Sequence, residues 1–241
     1  MSNPTRLYSG LSTAYPNETL YSFPFLDPFH TGSTQALGSS TYVNDFNTLI
    51  GTDYTVTGTS SAFAVAAGQG GWATLTPGGT TTASSAYKNG TFFAFTAGQR
   101  AWFTTRIKAS AIASTISLYA GMQKGSATTD GLWFAKAAST ATISLVSTVN
   151  STATTLVANV ATMVADTFVE LGWYYDGTDL IVYSGSATST TGPVARVTAP
   201  TIGSTGTTLT NALMGTVFQI TPVATDTLTT DFVLAAQELT R

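Results

Sequence analysis

The chain of 241 residues has no cysteine and a single histidine. The first absence removes disulfides, thiolate metal sites and a thiol nucleophile together. It also mildly favours a chain assembled inside a cell, because small exported eukaryotic domains lean on disulfides. The histidine, His30, follows Asp27-Pro28-Phe29 and has no metal-ligating neighbour at helical or hairpin spacing. It reads as a structural or interface residue rather than an acid–base catalyst. Charge is scarce too, with Asp, Glu, Lys and Arg making up 9% of residues, against about 25% in ordinary domains.

Each shortage narrows the function. The nine basic residues gather no further than Arg100, Arg106 and Lys108, and the sequence pI is near 4.9, which argues against nucleic acid as a partner. The glycine cluster Gly68-Gln69-Gly70-Gly71 has no lysine and no helical pattern after it, so it does not cradle phosphate. No window approaches the roughly 18 apolar residues of a membrane span, and the start MSNPTRLYSG carries no expected targeting signal. Disorder is disfavoured because 43% of residues are hydrophobic, while Thr, Ser, Gly and Asn supply the polarity. A net charge of -3 gives little colloidal repulsion, which suits a chain docked into a larger assembly.

The acids give no catalytic pair. Asp176 and Asp179 bracket a turn, where aspartates bond their own backbone. Glu170 sits within an apolar run and is expected to pair with Arg106 or Lys108 on another strand. No acidic run has calcium-loop spacing. Neither catalytic residues, a metal nor a cofactor is therefore expected, and the chain is not read as an enzyme.

What is present is strand. In FVELGWYYDGTDLIVYSG, Phe168–Gly185, the residues Val169, Leu171, Trp173 and Tyr175 alternate with Phe168, Glu170, Gly172 and Tyr174, a period-2 pattern. Asp176-Gly177-Thr178 supplies the turn, and Leu180–Tyr183 returns as a β-branched, aromatic strand. Both faces carry large apolar groups, which places the hairpin inside a sheet covered on each side. Further strands are expected near Tyr54–Val56, Gly71–Leu75, Phe92–Phe95, Arg100–Ala109, Ile116–Met122, Gly131–Ala135, Thr142–Val146, Thr154–Ala158, Ala195–Thr198, Leu213–Gln219 and Thr230–Glu238. Thr-rich runs at 80–86, 186–192 and 203–210 read as surface loops. This predicts an all-β, antiparallel two-sheet sandwich over residues 41–241.

Residues 1–40 differ. Pro4, Pro16, Pro24 and Pro28 interrupt any ladder, while Tyr8, Tyr15, Tyr21, Phe23, Phe25 and Phe29 recur without a strand or helix period. They read as an extended arm that must lie on something, because leaving a Phe in water forfeits roughly 1.5–3 kcal/mol. Its host is either the arm's own domain or a neighbouring subunit, and these six aromatic residues are the expected interface.

The stretches RAWFTTRIKAS (100–110), ISLYAGM (116–122), DGLWFAKA (130–137), the hairpin and TTDFVLAAQEL (229–239) together resemble, in pattern and order, the phage-encoded concanavalin A-like, laminin G-like jelly rolls. These serve as capsid decoration or cement proteins and related virion parts. The resemblance covers about residues 90 to 239. It implies a concanavalin A-like jelly roll whose last strand returns beside the first, and a structural virion protein assembled in a bacterial cytoplasm. Its implied partners are the major capsid protein and copies of itself, as a homotrimer. The alternative is a glycan- or host-surface-binding module of a tail fibre, for which Trp133, Trp173 and Tyr175 would form the stacking platform.

Overall fold

A computed structural model of the chain describes residues 38–239 apart from 48, 50–51, 67–70, 80, 113–114, 127, 139, 187–191 and 224. The arm residues Tyr8, Tyr15, Tyr21, Phe23, Phe25 and Phe29, and with them His30, lie outside the described residues. Among the described residues there are strands and no helices, and hence no helix long and apolar enough to cross a membrane.

Two antiparallel sheets form the molecule. The larger runs β13 (Gly192–Val197), β12 (Leu180–Ser186), β11 (Val169–Tyr175), β6 (Ala101–Ala109), β17 (Leu228–Leu239), β4 (Trp72–Thr76) and β3 (Ala62–Ala66). Its eighth strand, β1 (Gly38–Asn44), pairs with β17 from Gly38↔Leu239 to Asn44↔Val233. The smaller sheet has seven strands: β10 (Thr152–Thr162), β9 (Thr142–Val149), β8 (Gly131–Lys136), β7 (Ser117–Gln123), β16 (Gly215–Thr221), β5 (Ser84–Lys88) and β2 (Tyr54–Thr57). A short parallel pair, β14 (Ile202–Gly203) and β15 (Leu209–Thr210), stands apart. The fold is a two-sheet jelly-roll sandwich of the concanavalin A type, with the last long strand beside the first.

Alternation decides which face meets the other sheet. In β11, Val169, Leu171, Trp173 and Tyr175 enter the inter-sheet core with Phe103 and Ile107 of β6 and Leu180 and Val182 of β12. The smaller sheet answers with Leu118, Leu132, Phe134, Leu145 and Phe218. Phe103 links the layers, its ring 5.9 Å from Trp173 and 6.5 Å from Phe134. The other face of the larger sheet carries a second buried cluster of Trp102, Tyr174, Ile181, Tyr183 and Ala236. The hairpin is covered on both sides, as its two apolar faces require.

The hairpin turn works as the sequence implies. Asp176 Oδ1 accepts from the N–H groups of Thr178 and Asp179 at 2.8 and 2.7 Å. Gly177 takes φ +98, a region where a Cβ is strained, and its carbonyl accepts from Tyr175 OH at 2.8 Å.

Several expectations need correction. Phe92–Phe95 is not a strand; it makes an isolated bridge, Phe93↔Met214. The expected loop at 80–86 ends in a real strand, β5, held between β2 and β16. Its sequence SSAYK has little β signal because its register partners, not its own residues, fix it. Strands β1 and β3 were not expected, and Gly38 opens β1 inside the segment assigned to the arm. The 203–210 run contains the last residue of β14 and all of β15.

Candidate binding face

The expected platform residues are separated by the sandwich. Trp173 is 1% and Tyr175 2% exposed, both in the core. Trp173 packs with Phe95 at 5.2 Å and Phe103 at 5.9 Å, so neither ring can reach a ligand on a surface. Trp133 belongs to the other sheet and points away from the core: its strand neighbours Leu132 and Phe134 are core residues and Trp133 is not.

Register pairing reconstructs the outer face of the seven-stranded sheet around Trp133. One row crosses it as Thr55, Tyr87, Val217, Gly121, Trp133, Val146 and Thr155. The adjacent row reads Thr57, Ser85, Gln219, Tyr119, Ala135 and Ser144. On the other side Gly215, Gln123, Gly131 and Thr148 face the same way. These positions carry rings, hydroxyls, amides and small apolar groups, and none carries a charge.

The aromatic centre is built in two storeys. A Cβ on Gly131 would lie 2.0 Å from Cζ3 of Trp133, so the indole occupies the space that this glycine leaves open two residues earlier on the same face. Tyr119 stacks with that indole, centroids 5.5 Å apart and planes 24° from parallel. Trp133 is thereby only 6% exposed, whereas Tyr119 is half-buried and keeps accessible surface. The Gln219 side-chain amide donates to the Tyr119 hydroxyl, and burial raises the Tyr119 hydroxyl pKa against that bond. Tyr119 therefore stays protonated at neutral pH. Tyr87, also half-buried, stands two strands away, about 10 Å across the sheet. Tyr119, Tyr87 and Gln219 are not among the site residues expected from the sequence. The available signal was alternation in SLYAGMQ, which sets Tyr119 opposite the core residues Leu118 and Ala120.

One end of this face is tied down by Asp130, just before β8. Burial alone would raise its carboxyl, but bonds from Asn150 N–H at 3.2 Å and the Thr210 hydroxyl at 2.9 Å outweigh it and hold it below the usual range. Asp130 thus joins the β9–β10 turn and β15 to the start of β8.

The acids considered for catalysis have structural places. Asp179 accepts from Ala199 N–H and pairs with Arg196 at 2.9 Å, while Asp176 serves the turn. Glu170 stands opposite Arg106 in register, although the Arg106 guanidinium makes its 2.8 Å ion pair with Asp231. Among the described residues no group of three or more His, Asp or Glu side chains is placed to hold a metal ion.

No family profile matches the chain, and no curated protein matches it. Its fold does have solved counterparts. A protein of unknown function from Shewanella oneidensis MR-1 superposes with TM-score 0.61 at 13% identity, over 88% of this chain and 92% of that one. The CBM2 module of the evolved Dit of Lactobacillus casei BL23 phage J-1 gives 0.54 at 14% identity, over 85% and 98%. Arcelin-5, a lectin-like defense protein from Phaseolus vulgaris, gives 0.54 at 10% identity, over 84% and 99%. At these identities the similarity is one of fold, and the fold is lectin-like.

Proposed function

We propose that the chain is a carbohydrate-recognition jelly roll of a virion, binding sugar on the outer face of its seven-stranded sheet. The observation that carries this is the Tyr119–Trp133 stack, seated over Gly131 and braced by Gln219 on an uncharged face of hydroxyl, amide and small apolar groups. Sugar rings offer apolar C–H faces to aromatic rings and hydroxyls to amides, so such a surface matches them in both respects. The phage J-1 module of the same fold supports the virion setting. A glycan array probed with the full chain tests the proposal: retention of a defined glycan class supports it, and a blank array refutes it.

A second reading, a capsid decoration or cement protein, is favoured by a different feature. Phe92 and Leu213, 48% and 56% exposed, occupy segments joined by the bond from Phe92 N–H to Met214 O. An exposed aromatic next to an exposed aliphatic suits a subunit contact. On this reading the partners are the major capsid protein and further copies of the chain as a homotrimer, and the arm fastens it to a neighbour. Location separates the readings: heads freed of tails retain a decoration protein and lose a fibre module.

A further inference from the structure

We infer that the ligand of this face is an electrically neutral glycan, recognised by stacking on Tyr119 and without ion pairing. The inference deepens the proposed carbohydrate reading and rests on it. All the described side chains that register pairing places on the outer face of the seven-stranded sheet are uncharged, from Thr55 at one edge to Thr155 at the other. Charged side chains of this sheet lie elsewhere: Lys136 is 1% exposed and donates to the carbonyl oxygens of Ile116 and Ala137, and Lys88, set by alternation on the opposite face with Ala86, pairs with Asp53 at 3.5 Å and lies over the Tyr42 ring. A uronate or sulfated sugar brought onto these rows would lose hydration and find no cation within them to replace it, and Lys124, just past Gln123, already faces Asp130 at 3.9 Å. A neutral pyranose loses only hydroxyl hydration, which the half-buried Gln219 and Ser144 can restore, while its C–H face gains contact with the Tyr119 ring.

Affinity electrophoresis of the full chain through gels holding a neutral glucan, a neutral mannan, a polyuronate or dextran sulfate tests this. Retardation by a neutral polymer that is unchanged between low and high salt is the expected result. Tyr119→Ala should weaken it about tenfold or more, the scale of an anchoring aromatic, and Tyr119→Trp should restore most of it, with melting temperatures showing each variant folded. Retardation confined to the anionic polymers and abolished by salt overturns the neutral-ligand inference and leaves the carbohydrate reading standing. Neutral retardation that Tyr119→Ala does not alter overturns the assignment to this face. No retardation by any polymer refutes the carbohydrate reading itself.

Discussion

Trp133, Trp173 and Tyr175 are all aromatic residues in alternating strands, yet the sandwich gives them different roles. A period-2 pattern tells that neighbours face opposite ways, and not which way the core lies when both faces are apolar. In β11 both faces are apolar, so Trp173 was ambiguous in sequence. Its burial beside Phe95 and Phe103 makes a clear expectation: Trp173→Ala should cost about 3–5 kcal/mol in chemical denaturation, with no specific loss of ligand once the folded fraction is matched. Glu170 gives a second test at this scale. Burial raises its carboxyl pKa, Arg106 opposes the shift, and Asp231 adds to it. A carboxyl raised on folding contributes stability that is fully present below its unfolded pKa and lost as pH rises through its folded value. Glu170→Gln should therefore raise the denaturation midpoint at neutral pH and change it little in acid. Asp130, held low, has the opposite sign: its contribution is present above the unfolded value and lost as pH falls through the folded one.

At the scale of elements, strands with strong alternation were legible and strands defined by partners were not. β6, β8, β11, β12 and β17 announce themselves through β-branched and aromatic residues. SSAYK becomes β5 because Phe218↔Ala86 and Val56↔Ala86 sandwich it, a tertiary cause no local pattern contains. The reverse holds for Phe92–Phe95, whose aromatics suggest a strand but serve as core plugs, with Phe93 and Phe95 each 3% exposed. The proposed binding face is illegible in the sequence for a related reason: its rows run across strands, so Tyr87, Gln219 and Tyr119 are far apart along the chain. β8 offers the sharpest test of the two-storey arrangement. Gly131→Ala puts a methyl where the Trp133 ring lies, and either the ring or the strand must move. The expected outcome is a loss of about 1–3 kcal/mol in stability, together with an altered near-ultraviolet circular dichroism signal and weaker glycan retention.

For the whole molecule, the low charge seen in the sequence takes on a location. Threonine, serine and glutamine stand at outer positions that Lys and Glu fill in ordinary domains, and on the seven-stranded sheet they share the face of an aromatic stack with glycine, alanine and valine. The lectin-like fold predicts a sheet of this kind but not its ligand, since folds of one architecture host unrelated functions. In this chain that sheet carries the set Gly131, Trp133, Tyr119 and Gln219. The measurement that bears on it most directly is a crystal structure of the chain bound to a short neutral oligosaccharide cut from whichever polymer retains it. A pyranose ring lying against Tyr119, with hydroxyls bonded to Gln219 or its neighbours on the sheet, is the predicted result. An oligosaccharide seated on the eight-stranded sheet, or held by loops without touching Tyr119, would contradict the account.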